Sequence, residues 1–230
     1  MSDFSGEPGP RALPPQGEDW LDARRVEAWA GELRVNLIRL TAIALFYGRH
    51  LVEYWLADAD AKVRGVYHAR VTFVCAAWFG VALALHIVLT RRRMPWWLSY
   101  ASVAWDAAMI TILCTLTADA RTPLVLLFFV LIATAPLRLD LRLVYLATAG
   151  AIIGYLAQLA IYAWYVVGYS KYYATPELRI PRSHEAIVVL AMLVTGLLAG
   201  QCVRQARRLA MRYPVTIGSE AAAIEQGGRQ

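Results

Sequence analysis

Long, charge-poor apolar runs dominate this chain, and each is about as long as the ~30 Å hydrocarbon core of a bilayer requires of a helix. Six such runs occur: Arg34–Leu56, Tyr67–Thr90, Pro95–Thr117, Thr122–Leu139, Leu141–Val167 and His184–Arg207. Inside lipid the backbone N–H and C=O groups find no water, so such runs must close their hydrogen bonds internally as helices. The fourth is short and bracketed by Pro123 and Pro136. The expected fold is an all-α integral membrane protein, a six-transmembrane-helix bundle with an N-terminal interfacial amphipathic helix. The fourth run either crosses with little tilt or is re-entrant. Composition agrees: 59% of the residues are hydrophobic and 17% charged, against roughly 25% charged in ordinary globular chains. A soluble enzyme, a nucleic-acid binder and a disulfide-rich secreted domain are therefore set aside.

Residues 1–18 mix charges with Pro8, Pro10, Pro14, Pro15, Gly6, Gly9 and Gly17. They cannot form an apolar core and read as a disordered cytoplasmic tail. They also lack the apolar stretch of a signal peptide. From residue 19 to 33 a helical period begins. Val26, Trp29, Ala30, Leu33 and Leu37 share one face, with Arg24, Arg25, Glu27 and Glu32 off it, the pattern of a helix lying in the membrane surface. The membrane domain then covers 34–210, and 211–230 form a short cytoplasmic tail.

The net charge of +6 is a matter of orientation. With the tails and even-numbered connections taken as cytoplasmic, fourteen basic residues lie inside and seven outside, with Arg39 and Arg49 within the first span. Arg91-Arg92-Arg93 is the strongest single signal. The positive-inside rule places both termini in the cytoplasm. Arginine outnumbers lysine twenty-one to two in an Ala-rich chain, which points by association to a bacterial source and a multi-pass protein of the inner membrane.

Ionisable groups inside a span are costly, and they mark functional sites by default. Asp106 falls near the middle of the third span. Arg49, by depth, is its expected partner, while Arg39 lies nearer the cytoplasmic end and can snorkel outward. Arg49 and Glu53 share a face at i, i+4 and can pair. His50, His68 and His184 sit toward the outer surface with Gln158 and Tyr162 in the same half. Arg49, His50, Glu53, Asp106, Gln158 and His184 are the candidate ligand-binding residues, against the plainer reading of interfacial polar groups and a structural ion pair. Histidines here could also hold haem or a metal, although no pair has a known ligand spacing. Cys75, Cys114 and Cys202 read as packing residues. Gly150-x-x-x-Gly154 and Gly196-x-x-x-Gly200, with the weaker Ala44-x-x-x-Gly48 and Ala76-x-x-x-Gly80, mark close helix contacts, expected within the chain before between chains. No catalytic motif is present, so a non-enzymatic role is expected.

The stretch TPLVLLFFVLIATAPLRLDLRLVYLATAGAIIGY, Thr122 to Tyr155, resembles the multi-span sensor regions of bacterial histidine kinases, diguanylate cyclases and membrane-anchored adenylate/guanylate cyclases. An Asp in the preceding span (Asp106), a Pro-led short helix (Pro123) and a Leu137-Arg138 turn carry the likeness. The opening Arg34-Val-Asn-Leu-Ile-Arg39 through Tyr47-Gly-Arg-His50 and the closing Gly200-Gln-Cys-Val-Arg204 extend it over about 33–210. The resemblance implies a signal-transduction sensor whose last span continues as a coiled coil toward an output domain. In this chain Tyr213-Pro214 is expected to stop that helix. The expected function is a sensor that binds a small ligand in the outer half of the bundle. It would signal to a cytoplasmic partner or homodimer, with the lipid bilayer as its medium. The alternative is an integral subunit of a redox or transport complex binding haem or quinone.

Overall fold

The computed structural model describes residues 16–56, 61–91, 95, 97–117, 122–168, 172 and 181–227. Six helices follow in order: α1 (Gln16–Leu56), α2 (Ala61–Thr90), α3 (Leu98–Leu116), α4 (Leu126–Thr134), α5 (Leu141–Ile161) and α6 (Arg182–Gly227). Tight 3-10 turns, Pro123–Val125 and Ala135–Arg138, bracket α4, and a wider π turn, Tyr162–Val166, closes α5. There is no strand among the described residues. Four segments are long and apolar enough to cross a membrane: Gly65–Thr90, Leu98–Leu116, Leu141–Val166 and Arg182–Leu209. α1 is not among them, and its upper half carries Arg34, Arg39, Arg49 and Glu53. The segment Pro123–Arg138 is apolar but shorter.

Local chemistry sets the breaks around α4. Pro123 fits the first turn because the N–H it lacks would have no intrahelical partner there, and the Thr122 hydroxyl accepts from the Leu124 N–H at 3.4 Å. At the other end Pro136 tightens the helix into a 3-10 turn. Leu139 follows with φ of 52°, a left-handed conformation that costs a non-glycine residue roughly 1–2 kcal/mol. Asp140 then caps α5, its Oδ1 accepting from the Arg142 N–H at 2.9 Å. The segment Pro123–Arg138 has Pro123 and Leu124 on a cavity shared with Arg49 of α1 at one end and Arg138 against Glu32 at the other.

The core lies where α3, α4 and α5 meet. Phe128, Ile132, Val144, Ala147 and Ala151 have no exposed surface. Glycines bring the helices together as the small-residue spacing predicts. A Cβ on Gly154 would overlap Thr111 and Phe128, and one on Gly196 would overlap Thr148. The weaker pairs do not serve this way, since Gly48 and Gly80 face open space.

Two boundaries differ from expectation. α1 is one helix through residues 33 and 34, so the expected interfacial segment and the first span are continuous. Trp29 donates to the Leu89 carbonyl at 2.7 Å, and Glu32 is buried, not turned away from the bundle. α1 thus joins the bundle about a turn earlier than its hydropathy suggests. α6 likewise does not stop at Tyr213-Pro214 but runs to Gly227. A proline removes one ladder bond and crowds the carbonyl four residues back. The backbone bonds that remain on either side carry the helix past it, even through the weak helix formers Val215, Thr216 and Gly218.

Gly31 is the tightest backbone contact of α1. A Cβ there would overlap the Leu137 carbonyl oxygen, an atom that cannot rotate away. Gly31→Ala should destabilise the protein by about 1–3 kcal/mol, the usual range for overpacking, whereas Gly48→Ala should not. Thermal unfolding of the two variants in nanodiscs checks this.

Candidate functional site

The polar residues of the membrane domain form two centres at different depths. The inner one begins with three α1 side chains on one face, Glu32, Asn36 and Arg39, at the i, i+4 and i+7 positions of a helix. Arg39 donates to Asp106 Oδ2 through Nε at 3.0 Å and Nη2 at 2.6 Å. Its Nη1 donates to Asn36 Oδ1 at 2.8 Å. The second carboxylate oxygen accepts from Trp78 Nε1 at 2.9 Å. Asn36 in turn donates to the Ala82 carbonyl at 3.0 Å. Both partners of the ion pair are buried, at 6% and 7% side-chain exposure. One level further in, Arg138 Nε stands 2.8 Å from Glu32 Oε1, and the contact is coulombic because the N–H is not aligned on that oxygen. Arg138 Nη2 donates to Ser102 Oγ at 3.1 Å. Four helices, α1 to α3 and the end of α4, are thereby tied by charge.

The expected Arg49–Asp106 pair does not form. The depth estimate placed the centre of the first span from a start at Arg34, whereas α1 enters the bundle near Trp29, which lowers the matching level to Arg39. Arg39 does not snorkel out but is held inside. Arg49 instead pairs with Glu53 one turn on, as the i, i+4 spacing predicts.

The outer centre gathers Arg49, His50 and Glu53 from α1 with Tyr67 and His68 from α2. His50 Nε2 and His68 Nδ1 are 3.2 Å apart, so one ring donates and the other accepts. Tyr54 stacks on His68 with ring centroids 4.0 Å apart. The Thr72 hydroxyl lies 3.2 Å from Tyr47 Oη and 3.5 Å from His68 Nε2. Beside them is a cavity of about 130 Å³. Arg49, His50, Glu53 and Tyr67 form its polar side, Thr117 and Thr122 its far rim, and Phe46 and Leu113 its floor. Opposed charges, an imidazole, a phenol and hydroxyls can together orient a small polar group by hydrogen bonds.

The other candidates stand apart. Asp106 belongs to the inner centre. His184 is exposed in the first turn of α6 and does not line the cavity. Gln158 is 1% exposed, and neither amide atom has a hydrogen-bond partner among the described residues. No cluster of three His, Cys, Asp or Glu suited to a metal occurs among the described residues. Sequence reasoning missed Glu32, Asn36, Arg39 and Arg138 as a set. The signal was available, for three polar residues on one face of an apolar helix rarely face lipid. Compared with known proteins, the chain matches no family model, no curated relative and no solved structure.

Removing one member of a buried ion pair leaves the other charged and unpaired, a loss of about 3–5 kcal/mol. Asp106→Asn should show that loss in thermal stability. Arg39→Gln added to it should recover part of it, while Arg49→Gln added to it should behave additively. A double-mutant cycle on unfolding in nanodiscs distinguishes the two arginines.

Proposed function

We propose that this chain is a non-enzymatic membrane sensor module of six crossings with both termini cytoplasmic. It binds a small ligand in the outer cavity and passes the bound state to a cytoplasmic partner through α6. The observation that carries this reading is a shared support. α1 bears the outer cavity at one end, and at its other end it rests on the turn after α4, where Gly31 meets Leu137 and Glu32 meets Arg138. Arg207 of α6 grips the same turn, donating to the Leu139 carbonyl through Nε at 3.0 Å and Nη2 at 2.6 Å. A ligand that shifts α1 acts on a strained turn to which α6 is bonded. α6 then continues beyond Leu209 as far as Gly227, a length of roughly 27 Å at 1.5 Å per residue, long enough to engage a partner.

The likeness to multi-span sensor regions supports the same reading, and the basic residues at the cytoplasmic ends support the orientation in a bacterial inner membrane. Crossings by α1 and α4 are supported by the depth each covers, from the outer cavity to the inner ion pairs.

Coupling between two ends of a protein is measured as a free energy, typically equivalent to a 5–150-fold change in an equilibrium. The double variant Arg49→Ala/Glu53→Ala alters only the outer cavity. In nanodiscs it should change hydrogen-exchange rates in the cytoplasmic stretch of α6, residues 204–227, by at least about fivefold. Unchanged exchange there would sink the sensor reading. A Soret absorption band of the purified protein, lost on His50→Ala, would replace it with the haem-binding alternative.

A further inference from the structure

Three voids follow one another along α1. The outer cavity shares Phe46, Cys75 and Leu113 with a narrow neck. The neck shares Ala42, Trp78 and Leu127 with a third void that ends on Arg39 and Asp106. Among the α1 residues that line the three voids, Arg39, Ala42, Phe46 and Arg49 recur at a spacing of three or four and so share one helix face. Ten residues from Arg39 to Arg49 make the column roughly 15 Å long at 1.5 Å per residue.

Polarity changes sharply along it. The outer end is lined by charges, hydroxyls and an imidazole, the neck is wholly apolar in its lining, and the inner void is apolar until the ion pair at its end. The inner void also opens sideways. Ile38 on α1 and Val130 on α4 line it and are 38% and 39% exposed. Exposed apolar surface at this depth faces lipid tails, so the inner void borders the bilayer interior while the outer cavity lies beyond the neck.

We propose that this column binds a single-chain amphiphile drawn from the outer leaflet. Its hydrogen-bonding head occupies the outer cavity and its alkyl tail runs past Phe46 and Ala42 toward Asp106. The proposal rests on the reading of the outer cavity as a ligand site and names the class of ligand. A small polar solute would fill the mouth alone, leaving the wall atoms of the inner voids without contacts across them. The neck, about 10 Å³ as it stands, admits no tail at rest, and displacing one ring would open it to one chain and not to two. The neck is closed, and Phe46, which lines both it and the outer cavity, is the ring that must swing aside for a tail to pass. Phe46 is only partly buried, which leaves it room to do so. The paired charges of Arg49 and Glu53 suit a head that both donates and accepts, a carboxylic acid or an alcohol. An occupying tail would end against the Arg39–Asp106 pair and push on α1 at the level where it joins the inner network.

Trp78 lines the neck and the inner void, and a bromine atom in contact with an indole quenches its fluorescence. The test titrates nanodiscs holding the full chain with straight-chain fatty acids brominated at mid-chain. The Trp78 component is taken as the emission lost in Trp78→Phe. Saturable quenching of that component is expected. Ala42→Leu fills the neck without touching the head site and should weaken the saturable phase about tenfold or more, since each methylene kept out of an apolar site forfeits roughly fourfold in affinity. Phe46→Ala opens the neck and should tighten it. Quenching that rises linearly without saturation marks simple partition into bulk lipid and overturns the proposal, as does a saturable phase that Ala42→Leu leaves unchanged. Neither of those results touches the outer cavity as a ligand site, which stands or falls on the hydrogen exchange of α6.

Discussion

Arg138 is the residue on which the inner half of this bundle depends. It is 5% exposed, it cannot lose its charge, and it lies in the 3-10 turn after α4. Its guanidinium must be answered from within the protein. Glu32 of α1 supplies the charge and Ser102 of α3 a hydrogen-bond acceptor. That requirement brings α1 against the turn after α4 so closely that only glycine fits at position 31. It also fixes the register of α1 against α3, and Arg39 then falls beside Asp106. Apolar packing alone would not set this register, because lipid tails are as good a partner as another leucine.

The turn that Arg138 anchors is held from a second side. Leu139 keeps a left-handed backbone, and such conformations persist only where the surroundings over-determine them. Here the Leu139 N–H donates to the Pro136 carbonyl at 2.9 Å, and its own carbonyl takes two bonds from Arg207 of α6. Asp140 caps the helix that follows and lies 3.5 Å from the Tyr100 hydroxyl of α3. Three segments distant in sequence, α1, α3 and α6, thus meet at one short turn. An element of this kind has few intermediate arrangements open to it, since its bonds are made together or lost together.

Much of this was legible in the residues. Four of the six expected runs are helices of spanning length, with ends close to those read from hydropathy. Gly154 and Gly196 lie at helix contacts within the chain, as their spacing predicts, and Arg49 pairs with Glu53 as i, i+4 neighbours do. The failures share a cause. Hydropathy assigns depth by counting from the first apolar residue, and it cannot see that Glu32 and Asn36 are polar residues inside. It therefore started α1 too late and paired Asp106 with the wrong arginine. Pro214 was read as a stop because local rules weigh one residue against its neighbours, whereas a helix of this length draws on many bonds on either side. Gln158, expected among the ligand-binding groups of the outer half, is 1% exposed, and no pattern in the sequence says which residues surround it.

The order in which the chain is made gives the buried charges a further consequence. Glu32 and Arg39 are synthesised first, yet Asp106 emerges only with α3 and Arg138 only after α4. An isolated charge near the centre of a membrane helix costs about 2.5–3.5 kcal/mol even on the more lenient insertion scales. α1 with its several charges is thus a poor candidate for independent insertion. Its place in the bundle becomes secure only once α3 and the turn after α4 have arrived to neutralise its charges. Biogenesis of this bundle is then cooperative across more than a hundred residues. A lesion in the middle of the chain, at Asp106 or Arg138, would be felt by the machinery of membrane insertion as a fault in the first helix.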